Sequence, residues 1–193
     1  MATEAARKKQ LVEATVQEIG AAGSLNVTVS RIAKRAGVSS GLAFHYFGDK
    51  DRLFLAAMRH IMTVYAAEVR DALTRANTNR DRIEAIIRAS FSTTNFQSDV
   101  ISAWLNFYVL ARSSNEARRL LSIYHRRLHA NLVHDLRPLV GDHAPAAAER
   151  LAGLIDGLYL RSAITPHAMD GADAQAHVLA ALTQEISAGS GNS

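Results

Sequence analysis

Between Arg35 and Leu53 the chain reads RAGVSSGLAFHYFGDKDRL, two helix starts on either side of a glycine turn and a third start just after a run of aromatics. Upstream, the Thr28 hydroxyl can cap a first helix whose apolar face is Ile32, Ala33 and Ala36. Gly37 ends that helix, because glycine takes the left-handed conformation of a tight turn without steric penalty, and Val38 can tuck inward beyond it. Ser39 or Ser40 caps a second, short helix from Gly41 to about Phe47, with small residues at its start where a backbone must approach base edges and phosphates. Asp49 caps a third helix and puts Lys50 in its first turn, where a cation opposes the helix dipole unless a phosphate lies beside it. Two short helices joined in this way form a helix-turn-helix and point to duplex DNA. The candidate contacts are Thr28, Ser30, Ser39, Ser40, Gly41, Leu42, Phe44, His45, Tyr46 and Lys50.

Charge supports the same reading. Residues 1–60 carry nine Lys and Arg against Glu4, Glu13, Glu18, Asp49 and Asp51, a net of +4, and the rest of the chain holds thirteen of each sign. All four lysines lie within the first fifty residues. A basic N-terminal module on a neutral remainder suits a DNA reader with a separate second function, although a solvated basic face would look the same. At 193 residues and 48% hydrophobic, the chain is long enough for an ordinary domain and a small one. It has no cysteine, hence neither a disulfide framework nor a thiol nucleophile. MATEAARKKQ lacks the apolar stretch of a signal peptide and no run approaches bilayer length, so a soluble cytoplasmic protein is expected.

Only three prolines, Pro138, Pro145 and Pro166, interrupt long stretches of helical periodicity. The expected fold is all-α, with helices near 4–22, 28–36, 40–46, 49–76, 79–96, 98–112, 115–137, 145–164 and 172–187. Residues 1–48 form the helix-turn-helix domain, 49–187 a helical ligand-binding and dimerisation domain, and 188–193 a small polar tail expected to be disordered. The helix from residue 49 has no break and should couple the two domains mechanically. Helices 145–164 and 172–187, with Leu151, Leu154, Ile155, Leu158, Val178, Leu179 and Leu182 around Gly153 and Gly157, carry more apolar surface than one wall of a small bundle needs. They suit an intermolecular four-helix bundle in a homodimer, and the plainer alternative is burial inside a monomer.

The first sixty residues resemble the DNA-binding domain of the TetR family of bacterial repressors through Thr28, Ile32, Ala33, Ala36, Gly37, Val38, Ser39, Gly41, Tyr46, Phe47, Lys50 and Leu53. The remainder is similar to one subgroup, the BetI-type repressors that sense choline and control glycine-betaine synthesis. AWLNFY (103–108), SIYHRRLHANLVHDLR (122–137) and LIDGLYLRSAI (154–164) carry that likeness. Phe44 stands where the family often has tyrosine, which removes a possible phosphate hydrogen bond, and Ala43 and His45 are positions where the family varies. The resemblance implies a dimer on double-stranded operator DNA and a choline-like effector.

A quaternary ammonium has no proton to donate, so its site must offer aromatic faces and a nearby negative charge. Trp104, Phe107 and Tyr108 fall at i, i+3 and i+4, and Asp156 lies inside an apolar run three residues before Tyr159. These five are the candidate ligand residues, with Phe91, Asn95 and Phe96 as further candidates. Core packing is the ordinary explanation of such rings, and a salt bridge to Arg112 or a hydrogen bond at the dimer interface would explain Asp156. His125 and His129 have zinc spacing, but Arg126 and Arg127 between them oppose a metal and a solvated face is expected. No metal or cofactor is expected. No phosphate loop, nucleophile elbow or catalytic carboxylate pair appears, and an enzyme or carrier with an incidental basic N-terminus is the rival reading. A different cationic or apolar effector is the alternative within the repressor class. The expected mechanism places two recognition helices in successive major grooves, roughly 34–36 Å apart, until effector binding swings them out of register.

Overall fold

The computed structural model describes residues 3–165 and 169–190, and within them every regular element is a helix. In chain order these are α1 (Glu4–Ala22), α2 (Val29–Arg35), α3 (Ser40–Phe47), α4 (Lys50–Leu73), α5 (Asn79–Ser90), α6 (Ser98–Ser113), α7 (Asn115–Val140), α8 (Ala144–Ile164) and α9 (Gly171–Ser190), with one 3-10 turn, Gly141–His143, between α7 and α8. The expected all-α architecture of about nine helices is what forms.

Short polar side chains fix the helix starts by taking amides that have no partner within the helix. The Arg31 amide donates to Thr28 Oγ1 at 3.2 Å, the Leu42 amide to Ser39 Oγ at 3.2 Å and the Arg52 amide to Asp49 Oδ1 at 2.8 Å. Thr78 and Asp81 form a reciprocal capping box at α5. Of the two serines offered as caps for α3, Ser39 does the work.

Helix ends depart more from expectation. α5 stops at Ser90 rather than near residue 96, because the Asn95 carboxamide donates to the Ala89 carbonyl at 2.9 Å and the Phe96 amide turns back to the Ser92 carbonyl at 2.8 Å. α4 ends at Leu73, a little short of 76. α7 continues through Pro138 to Val140, since a proline in a final turn removes a single hydrogen bond near the end. α9 continues to Ser190, so residues 188–190 are helical rather than part of a disordered tail; 191–193 lie outside the described residues.

The described chain divides into two compact units, and the division does not fall at residue 49. The first unit takes the chain up to Thr63 together with Gln97–Leu120, so α6 joins the helix-turn-helix. α1 and α6 come close at Gly20, where a Cβ would stand 2.3 Å from the Asp99 Cβ. Leu11, Val12, Val16 and Ile19 of α1, Ile32 and Ala33 of α2, and Ala103 and Phe107 of α6 are buried in this unit. The second unit takes Val64–Phe96 and the chain from Leu121 onward. Its core joins Ile83, Ile86 and Ile87 of α5 to Leu128, Leu132 and Leu136 of α7, Leu151, Ile155 and Leu158 of α8, and Val178 and Leu182 of α9. Much of the apolar face expected to be free for a partner is therefore spent on the chain's own core. Leu160 and Ile164 remain exposed, at 48% and 68%.

Candidate functional site

The reading head is built from α2, a turn and α3. Gly37 makes the turn at φ +68°, and a second left-handed glycine, Gly48 at φ +80°, redirects the chain from α3 into α4. On α3, Gly41, Phe44 and His45 share one exposed face, with Phe44 48% exposed, whereas Ala43 on the opposite face is 1% exposed. Of the two positions expected to vary with the operator, only His45 is thus available to a base; Ala43 belongs to the core. Thr28, Ser30 and Ser39 are exposed, and Ser40, Leu42, Tyr46 and Lys50 are half-buried. Thr28 and Ser39 carry the caps of α2 and α3, so their hydroxyls sit at helix N-termini, where phosphate is favoured. Lys8 Nζ lies 5.2 Å from the Tyr46 ring centroid and Lys50 Nζ 5.1 Å from that of Phe54.

One residue essential to this head escaped sequence reasoning. Glu18 of α1 is buried and accepts from Arg35 Nε at 2.6 Å, with Arg31 Nη2 at 3.0 Å, which pins α2 to α1. The Arg35 hydrogen bond, helped by the charge of Arg31, holds its carboxyl below the usual glutamate range despite burial. The available signal was an acid interrupting the apolar stripe of Val12, Val16 and Ile19.

The proposed effector residues fall in different units. In the first unit, α6 buries Trp104 and Phe107, and the Trp104 and Tyr108 rings pair at 6.2 Å between centroids. Phe107 is wholly buried.

In the second unit, the Tyr159 ring stands edge-on to Phe96 at 5.1 Å and tilted to Phe91 at 5.8 Å, while its hydroxyl donates to the Ser90 carbonyl and to that of Asn95 at 3.2 Å. Asp156, on the preceding turn of α8, approaches His125 Nε2 at 3.5 Å. Within this unit Asp156 thus meets His125, a residue expected on a solvated face. Tyr65 of α4 meets Tyr124 of α7 edge-on at 5.8 Å, and its hydroxyl lies 3.2 Å from Ser90 Oγ. Loss of hydration pushes the Tyr65 phenol up to about 12, with the Asp156 carboxylate adding to the rise against the Ser90 hydrogen bond. A carboxylate, three tyrosines, two phenylalanines and an imidazole thus gather around one end of α8. Asp156 and Tyr159 were legible because they share a helix; Tyr65, Tyr124 and His125 lie on other helices, and no spacing rule brings them together.

Among the described residues, no group of three or more His, Cys, Asp or Glu is placed to hold a metal ion, and no helix is long and apolar enough to cross a membrane.

Comparison with known proteins agrees with this layout. Residues 11–57 match the profile of bacterial regulatory proteins of the tetR family, and residues 79–187 that of the C-terminal part of BetI-type transcriptional repressors. The HTH-type transcriptional regulator BetI of Brucella melitensis is 48% identical over 176 residues, 91% of this chain and 89% of that protein. Its counterpart from Agrobacterium fabrum is 46% identical over 162 residues, 83% of this chain and 79% of that one. Among solved structures, a transcriptional regulator from Rhodococcus sp. superposes with a TM-score of 0.84 at 20% identity, covering 94% and 96% of the two chains. A protein from Saccharomonospora viridis, described as a transcriptional regulator and solved in complex with choline, gives 0.78 at 21% identity, covering 89% and 92%.

Proposed function

The chain belongs to the TetR family of bacterial transcriptional regulators, with a C-terminal part of the BetI type, and from that premise we propose that it is a repressor released from its operator by choline or a closely related quaternary ammonium. Family membership sets aside the helical enzyme or carrier. Its target genes are those of glycine-betaine synthesis, as the resemblance to BetI-type repressors implies. Residues 1–48 read the operator, through the exposed face of α3 and the capped starts of α2, α3 and α4, and the helices from residue 49 onward serve the effector and the dimer.

The observation that carries the effector reading is the placement of Asp156. A carboxylate one turn from the Tyr159 ring, felt electrostatically at Tyr65 and beside His125, whose ring meets that of Tyr124, offers what a permanent cation without N–H groups requires. Asp156 is only half-buried beside His125, and a carboxylate partly withdrawn from water attracts an ammonium more strongly than one in open solvent. The choline complex of the Saccharomonospora protein, whose fold is shared, supports the choice of ligand. Trp104 and Tyr108 belong to the other unit, and their proposed part in effector binding is checked by following the indole emission of the only tryptophan during titration.

The test is calorimetric. Choline should bind saturably, and 3,3-dimethylbutan-1-ol, the same shape without the charge, should not. Asp156→Asn should weaken choline at least tenfold, about 1.4 kcal/mol. Equal binding of the alcohol, or undiminished binding by the asparagine variant, would overturn the cationic reading.

A further inference from the structure

Glu68 is not among the candidate effector residues, yet it is the acceptor for two side chains of the segment between α5 and α6, one of them the further candidate Asn95. Its Oε2 receives the Ser92 hydroxyl at 2.7 Å and the Asn95 carboxamide at 2.7 Å. Three residues earlier on the same helix, and so on the same face, Tyr65 meets the Ser90 hydroxyl at 3.2 Å. From α8, the Tyr159 hydroxyl donates to the backbone carbonyls of Ser90 and Asn95. Ser90 and Asn95 are thus each held from two sides, by α4 through their side chains and by α8 through their carbonyls. Both are buried, Ser90 at 2% and Asn95 at 3% exposure, so no water stands ready to replace a broken bond.

We propose that Glu68 is a coupling residue, which with Tyr65 ties α4 to the 90–95 segment so that a shift of Tyr159 on effector binding is carried to α4. The proposal rests on the reading that the effector sits at Asp156 and Tyr159. Tyr159 cannot move without dragging or releasing the two carbonyls it holds, and those residues are bonded to α4. α4 is one unbroken helix from Lys50 to Leu73, and its first residue follows α3 across Gly48 and Asp49. A displacement of its C-terminal half therefore has a covalent route to the recognition helix. Glu68 suits this role because a charged acceptor holds its donors more firmly than a neutral one, and because it holds two of them at once.

An effector shifts an equilibrium only through a difference in its affinity for the two states, so the quantity to measure is the change in operator affinity that saturating effector produces. The chain, Glu68→Ala, Glu68→Gln and Ser92→Ala are each titrated with choline by calorimetry, then with the duplex that the chain selects from a random library, with and without saturating choline. Melting curves within a few degrees of the parent show that the variants fold. In the parent, choline should weaken the operator complex about tenfold or more. Glu68→Ala should bind choline and operator as the parent does and respond to choline less than threefold. Glu68→Gln, which keeps an acceptor oxygen, should recover much of the response, and Ser92→Ala should fall between. A Glu68→Ala protein that responds as the parent does would overturn the coupling role and leave the effector reading intact. A parent that binds no choline overturns the effector reading and the coupling with it, and the calorimetric arm tells that failure from the first.

Discussion

Glu18 shows how far a single residue can govern the reading head. Its carboxylate ties α1 to both arginines of α2, so α2 cannot rotate without uncovering a buried charge. The arginine hydrogen bond keeps the folded-state pKa below 4.5, the usual glutamate value, so this contribution to stability is fully present above that pH and is lost as acid carries the solution down through the folded value. Because the guanidiniums remain 58% and 42% exposed, Glu18→Gln should lose only about 1–2 kcal/mol at neutral pH. Thermal melts at pH 7 and below pH 4 check this: the gap between parent and variant should narrow in acid, and a gap that widens would contradict it. At the same scale, Asp156 and Tyr159 could be singled out from the sequence because an acid and a ring one turn apart share a face whatever the tertiary fold. Their neighbours Tyr65, Tyr124 and His125 could not, since which helices meet around α8 is settled by packing and not by spacing. His125 in particular lies in an arginine-rich run whose composition argues for solvent, and only the approach of α8 supplies its carboxylate.

Helices were legible at their starts and less so at their ends, for a chemical reason. A start is written in one side chain, as at Thr28, Ser39, Asp49 and Thr78, whereas an end depends on competing partners such as the Asn95 carboxamide that stops α5 at Ser90. α9 runs on into residues expected to be disordered because Ile186 and Gly189 pack against the core rather than fraying, with Gly189 fitting against Val140 where a Cβ would stand 2.6 Å away. A phosphate contact is proposed for the start of α4. Lys50 sits in its first turn with its ammonium over Phe54, an arrangement that works against the dipole and suits an adjacent phosphate. Lys50→Ala should weaken binding to specific and unrelated duplexes alike and lower the slope of log affinity against log salt by about one. Identical affinities for parent and variant at two salt concentrations would remove Lys50 from the phosphate contacts.

For the molecule as a whole, the division into two units places α6 with the helix-turn-helix, an arrangement no local pattern announces because it depends on α1 meeting a helix some eighty residues away at Gly20. The dimer is a prediction at this scale. Gly153 and Gly157 of α8 have open space where a Cβ would stand, and Leu160 and Ile164 are exposed beside them, so a partner helix could approach closely. Leu160→Glu with Ile164→Glu should leave the single-chain fold intact, convert the protein to a monomer in sedimentation and weaken operator binding, because two half-sites are no longer held together. A dimer that persists in the double variant would place the interface elsewhere. Release of a repressor from DNA by a quaternary ammonium is read from the fluorescence anisotropy of the selected duplex at fixed protein while choline is added. Anisotropy should fall along a saturable curve that Asp156→Asn displaces to higher choline, and a duplex that stays bound at saturating choline would show that choline does not release this repressor.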